Sequence, residues 1–256
     1  MSLQQVEANR IAALLRVTPA ELSFLQDCEA AELTRLRKRI TAAGMERHRK
    51  SFERLSRASG LMPGPIAARI AQDVLGPEIV AQLTPYMSVE RAVNVSRQMS
   101  TEFQADVSVH MVPEASSDLL AALPAELRRD VTRELLARGE YAVMGTVVDF
   151  LPVDVIADLA REIKDPEALL ETTGYVEDKS RLSRVVSNFS DQRIGELLSS
   201  AAQSGRMVVL CELVAAIEDA QRQRLAPILA AAEPDTQAEW RKAWSGLQLG
   251  SDPLLG

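Results

Sequence analysis

Apolar residues recur along this chain at three- and four-residue spacing, interrupted about every dozen residues by a helix-start signal. Proline follows Thr18, Met62, Leu123, Leu151 and Asp165, which places Pro19, Pro63, Pro124, Pro152 and Pro166 in first helical turns. The missing N–H has no intrahelical partner to lose there. Thr18 and Glu21 have the spacing of a capping box. Leu127, Val131 and Leu135 after Pro124, and Val155, Ile156, Leu159 and Ile163 after Pro152, mark faces that need apolar neighbours. Strand signals are nearly absent: no Asn-Gly or Asp-Gly turn occurs, and the valine-rich stretch 107–112 is short and ambiguous. The expected fold is all-α.

Internal similarity sharpens that expectation. Tyr86, Met87, Ser88, Val89 and Glu90 line up with Phe150, Leu151, Pro152, Val153 and Asp154, and Arg97 with Arg161, at a spacing of about 64. Gly139, Met144, Val147, Val148 and Leu151 line up with Gly205, Leu210, Leu213, Val214 and Ile217 at a spacing of about 66. Self-similarity in a chain of short helices is the signature of a solenoid whose units stack. The period holds about five helices, an odd number that reverses chain direction at equivalent positions. Either one segment is not a separate helix, or the unit is a helix pair.

The first 60 residues read differently, with a helix over 6–16, a capped one from 19 to about 28, and a long run over 30–57. That run carries Leu33, Leu36, Ile40, Ala43, Phe52 and Leu55 on a heptad-like stripe, with Gly44 as its weak point. The Ser-Gly-Leu-Met-Pro-Gly-Pro segment at 59–65 is the best boundary. The expected organisation is a helical cap with a basic helix over 1–60, a helical-repeat superhelix over 61–249, and a frayed tail over 250–256.

The phrases Leu-Pro-Ala-Glu-Leu at 123–127, Leu-Pro-Val-Asp-Val at 151–155 and Phe-Ser-Asp-Gln-Arg-Ile at 189–194 resemble the N domain of the MgtE magnesium transporters. The resemblance covers residues 61–232 and implies a right-handed superhelix of short antiparallel helices, distantly similar to armadillo and HEAT-like modules. That family continues into CBS modules and a transmembrane pore, and this chain carries neither, so the resemblance implies a stand-alone domain. It also raises a magnesium-responsive role. No matching motif marks a ligand, however, and Asp149, Asp154 and Asp158 read as solvated helix-surface carboxylates.

Charge changes the picture more than composition does. The chain carries 29 basic and 36 acidic residues, a net charge of -7. Such a balance argues against a surface given over wholly to nucleic acid or anionic membrane. Yet Arg35, Arg37, Lys38, Arg39, Arg47, Arg49, Lys50, Arg54 and Arg57 are opposed only by Glu46 and Glu53. This basic helix suits an acidic protein partner or the acidic remainder of the chain; with only Phe52 interleaved, it lacks the stacking aromatics of a nucleic-acid binder. Trp240 and Trp244, four apart on the last helix, are expected to cover the final apolar layer, or else to offer an aromatic anchor to a partner.

Signals for catalysis are sparse. His48 and His110 are the only histidines, so zinc-ligand spacing is absent, and Gly-x-Gly-x-x-Gly, Walker-type and Gly-x-Ser-x-Gly motifs do not occur. An enzyme reading would rest on His110 lining a cavity. Paired acids such as Glu29 and Glu32 read as helix surface. No cofactor is expected. Cys28 and Cys211 lack the dense spacing of a secreted scaffold, and Cys211 sits in an apolar stretch where a thiol is inert. The start of the chain lacks a secretory signal, and the apolar stretch 207–217 falls short of the roughly 20 residues that cross a bilayer. The reading is therefore a cytoplasmic, non-catalytic module that binds another protein, with nucleic-acid or anionic-ligand binding through the basic helix as the alternative.

Overall fold

The computed structural model describes residues 3–15, 17–59 and 62–255, without the side chains of residues 3, 6, 13, 45, 47, 48, 58 and 59. Its described residues form helices and no strand. In chain order these are α1 (Leu3–Leu15), α2 (Ala30–Ser59), α3 (Gly64–Ile70), α4 (Gly76–Leu83), α5 (Val89–Ser96), α6 (Thr101–His110), α7 (Pro113–Ala122) and α8 (Ala125–Ala137). There follow α9 (Tyr141–Val148), α10 (Val153–Ala160), α11 (Pro166–Gly174), α12 (Ser183–Ser187), α13 (Asp191–Gln203), α14 (Met207–Ala216), α15 (Asp219–Ala230) and α16 (Pro234–Gly246). Tighter 3-10 turns occupy Pro19–Leu25, Thr84–Tyr86 and Lys179–Leu182, and a π turn occupies Ala71–Leu75. The segment expected to be a capped helix from 19 to 28 is thus the first of these 3-10 turns.

Side-chain caps set many of the starts. Ser88, Ser100 and Ser190 accept from the backbone N–H three residues on, and Asp165 accepts from Glu167 and Ala168, each satisfying a donor the first turn cannot use. The Glu21 carboxylate accepts from both the N–H and the hydroxyl of Thr18 at 2.8 Å. Pro19 and Pro166 occupy first turns as expected. Pro63, Pro124 and Pro152 instead sit one step earlier, as the flanking residues of α3, α8 and α10, with ψ of 144°, 142° and 142°. Proline's fixed φ suits that extended position, whose own N–H takes no part in the helix ladder.

The chain forms two compact units, Ser2–Val143 and Met144–Gly256. Within the first, α1 packs on α2, α2 on α4, and thereafter each helix meets its second neighbour: α3 with α5, α5 with α7, α4 with α6, α6 with α8. Within the second, α10 meets α12, α11 meets α13, α13 meets α15, and α14 meets α16. The first unit holds a small separate core of Ile11, Ala12, Leu22, Leu25 and Leu33, apart from that of Ala71, Val80, Ala81 and Val107. In the second, Leu170, Val176, Cys211, Leu229 and Trp240 are almost fully enclosed.

The two spacings read from the sequence reappear in the element bounds. α5 and α10 differ by 64 residues at both ends, and α8 and α13 by 66 at both ends. Gly139 and Gly205, with φ of +72° and +69°, close α8 and α13 in the left-handed conformation that glycine adopts without a Cβ penalty. Past each glycine the same backbone bond forms at 2.9 Å, Glu140 N–H to the Leu135 carbonyl and Arg206 N–H to that of Ala201. The step from 64 to 66 falls between α6 and α8, where α7 stands in the first unit and the Lys179–Leu182 turn plus α12 in the second.

Candidate interaction surface

α2 is held at two places. Near its start Leu33 enters the core shared with α1. Toward its end Phe52 stacks on Tyr86, with centroids 5.9 Å apart and planes at 16°, and the Ser56 hydroxyl donates to the Tyr86 carbonyl at 2.6 Å. Helical periodicity then divides the predicted basic residues. Arg35, Lys38, Arg39, Arg49, Lys50, Arg54 and Arg57 are exposed and share the outward arc. The side chains of Arg47 and His48 lie outside those described.

Arg37 is not part of that surface. It is 7% exposed, its Nε donating to the Glu7 carboxylate at 3.0 Å and its Nη1 lying 3.6 Å from Glu114, while Arg10 pairs with the same Glu7. Burial pushes the Glu7 carboxyl upward, but Arg10 and Arg37 outweigh it and hold the pKa below the ordinary value. A sequence signal existed: Arg37 stands four after Leu33 and three before Ile40, on the apolar stripe, and a buried cation needs a carboxylate partner. Which carboxylates would answer it, Glu7 and Glu114, the spacing did not tell.

The exposed cations differ sharply in occupation. Arg35 reaches Glu32 at 3.9 Å, Arg49 reaches Glu46 and Glu53 at 3.3 and 3.8 Å, and Arg57 reaches Glu53 at 3.9 Å. Lys38, Arg39, Lys50 and Arg54 have neither an ion pair nor a hydrogen bond among the described residues. Elsewhere arginines are mostly spent on helix ends. Arg128 donates to the Ala121 carbonyl at 2.9 Å, Arg181 to Val148 at 3.3 Å, Arg193 to Ile163 at 2.8 Å, Arg222 to Ala215 at 3.2 Å and Arg224 to Ser187 at 3.3 Å. Apart from Ile163, which lies in the loop after α10, these are C-terminal carbonyls that a helix leaves without partners.

Trp240 and Trp244 stack at 5.6 Å and are 0% and 5% exposed, so neither presents an aromatic anchor to a partner. The end of the chain covers them instead of fraying. Trp240 Nε1 donates to Asp252 at 3.0 Å, Trp244 Nε1 donates to the Gly250 carbonyl at 3.2 Å, and Asp252 accepts from the N–H of Leu254 and Leu255. Leu254 is thereby 8% exposed, an apolar contact that a tail rich in Gly and Pro did not advertise.

The remaining candidates have structural partners. Cys211 is fully buried, and burial, with Asp252 and Glu212 nearby, pushes its thiol up to about 12, well above any nucleophilic range. His110 ends α6 half-buried. Asp149 accepts from the N–H of Glu177 and Asp178 at 3.0 and 2.9 Å, Asp154 pairs with Arg184 at 3.1 Å, and Asp158 with Arg161 at 2.7 Å. Among the described residues no group of three or more His, Cys, Asp or Glu converges as a metal site, and no helix is long and apolar enough to cross a membrane.

Apolar exposure is concentrated as well. Phe24 is 73% exposed, Val74 74% and Ile66 52%; with Leu14, Leu15, Leu36, Leu55, Ile79, Val89 and Val109 they all belong to the first unit, against Leu249 alone in the second among the described residues. Residues 2–143 carry 18 basic and 18 acidic side chains, and residues 144–256 carry 11 and 18, so the net charge of -7 resides in the second unit. No family model matches this chain, and neither a curated protein nor a solved structure matches it.

Proposed function

We propose that the chain is a non-catalytic helical-repeat module, superhelical in the manner of the MgtE N domain, that works in the cytoplasm by binding another protein as a scaffold or regulatory adaptor. The observation that carries this reading is the exposure of large apolar side chains in the first unit, above all Phe24, Ile66 and Val74. Single exposed apolar residues are ordinary, but a marked excess in one of two units of similar size points to a surface that another protein covers. The repeat is supported by matching helix bounds at 64 and 66 residues and by the paired glycine stops.

The test is affinity capture of the tagged chain from host lysate, beside a Phe24→Ser/Val74→Ser variant, with nuclease treatment of each sample. A protein recovered in stoichiometric amount from the parent and lost from the variant supports the reading. Recovery of nucleic acid alone, removed by nuclease, would transfer the function to the alternative, in which the unpaired cations of α2 hold phosphates and affinity falls steeply with salt.

A further inference from the structure

We propose, beyond the protein-binding reading, that the outward face of α3 and of the π turn after it joins two copies of this chain, set antiparallel about a two-fold axis at Ile70. Three stretches of the chain share one pattern of burial. Ala68 and Ala71 are buried in α3 and its π turn, Thr132 and Leu135 are buried 64 residues on in α8, and Leu198 and Ala201 a further 66 on in α13. Each stretch ends at a glycine of positive φ: Gly76, Gly139 and Gly205.

The outward positions of the three stretches differ in kind. Where α8 carries Asp130 and Glu134, and α13 carries Glu196 and Ser200, α3 carries Ile66 and Ile70. Gly139 and Gly205 stand nine residues after Asp130 and Glu196, whereas Gly76 stands ten after Ile66, and the π turn Ala71–Leu75 takes up the extra residue. Bulges of this kind recur at functional sites. The turn presents Val74, 74% exposed, and at four-residue spacing Ile66, Ile70 and Val74 form one apolar stripe. Along its edge Arg69 and Asp73 pair with each other at 3.3 Å, their side chains 84% and 59% exposed.

Ile66 and Val74 lie equally far from Ile70 in sequence. An antiparallel copy therefore sets Ile70 on Ile70 and each Ile66 on the Val74 of the other chain. The same rotation keeps edge beside edge, so Arg69 of each copy comes opposite Asp73 of the other. The face is thus complementary to itself in its apolar register and in its charges, which is what an isologous contact requires. An ion pair this exposed contributes little within one chain, so exchanging it between copies costs little. With one charge of each sign, the face holds no net attraction for phosphate or for a strongly acidic surface. It is about 18 Å long, too short for a permanent dimer, and the association is accordingly weak and reversible.

Sedimentation velocity of the purified full chain, from micromolar to submillimolar concentration, is expected to show monomer passing into dimer and no larger species. Ile66→Asp, which gives α3 the chemistry α8 has at this position, should weaken the dimer by at least about tenfold. Arg69→Glu and Asp73→Arg should each weaken it roughly tenfold. An equimolar mixture of those two single variants should recover the dimer, because each charge then faces one of opposite sign. The altered side chains are exposed, so circular dichroism of the variants should match the parent. Monomer at every concentration, dimerisation of Ile66→Asp like the parent, or no recovery in the mixture overturns the proposal. Phe24 takes no part in this contact, so capture of a foreign protein by a chain that never dimerises would remove the interface and leave the protein-binding reading standing.

Discussion

The two units differ in how completely they finish their own surfaces. Met144–Gly256 carries the net charge, buries both tryptophans under its C-terminal residues, and spends nearly every arginine on a carboxylate or a helix end. Ser2–Val143 is electrically balanced overall, yet it leaves four cations of α2 unpaired and most of the chain's exposed large apolar side chains uncovered. Similar helices with similar caps can thus form a closed surface or an open one. The difference lies in what the polar ends and apolar edges find to touch, and it is the first unit whose surface the proposed function calls on.

The strongest way to break this comparison is to strike each unit's packing and ask which thiol becomes reactive. Cys211, fully buried, reports on the second unit and Cys28, half-buried, on the first. Trp240→Ala is expected to cost about 3–5 kcal/mol by removing a fully buried indole and its bond to Asp252. Thiol labelling should quicken at Cys211 and stay unchanged at Cys28. Phe24→Ser, a comparable apolar loss at an exposed site, should shift stability by less than about 0.5 kcal/mol. If both substitutions destabilise alike, Phe24 is packed and the contrast between the units collapses.

Next in size is the charge cluster that joins α1, α2 and α7. Arg37→Ala leaves Glu7 buried beside Arg10 alone and is expected to cost about 3 kcal/mol, read from urea denaturation. The same cluster sets a pH response. Glu7 has a folded pKa below its ordinary value of 4.5, so its contribution is present above that value and is lost as pH falls through the lower, folded one. The melting temperature of the parent should therefore fall as the solution is acidified below pH 4.5, more steeply than that of Glu7→Gln. Parallel curves for the two proteins would show that Glu7 is not a source of the acid sensitivity.

Much of the helical order was legible in the sequence because caps and prolines act locally. Ser88, Ser100, Asp165 and Ser190 each stop solvent from competing for first-turn donors within three residues, and the sequence spacing carries that directly. The spacing of about 66 was readable for the same reason, as Gly139 and Gly205 each end a helix in the left-handed conformation. The candidate surface was half legible. Periodicity explains why Arg35 and Arg39 face out while Arg37 turns in, but the Arg37 partners come from residues 30 and 77 positions away. The burial of Trp240 and Trp244 likewise depends on Asp252 and Leu254, whose roles are set by a chain reversal around Gln248 and Gly250, with φ of 53° and 88°.

The finest test of the comparison uses one substitution in both units. At Gly145 on α9 a Cβ would press on the Thr172 carbonyl oxygen and lie 2.6 Å from the Tyr175 Cβ, so the backbones of α9 and α11 must part to admit it. Gly145→Ala is expected to destabilise by about 1–3 kcal/mol through overpacking. At Gly44 on α2 the same methyl enters open space, and alanine loses less backbone freedom on folding than glycine does. Gly44→Ala is therefore expected to stabilise the free chain by about 0.5–1 kcal/mol, seen as a rise in the denaturant midpoint without a change in slope. Opposite signs locate a finished contact in one unit and an unfilled surface in the other. If Gly44→Ala instead destabilises, some part of the chain already lies against α2 at that position.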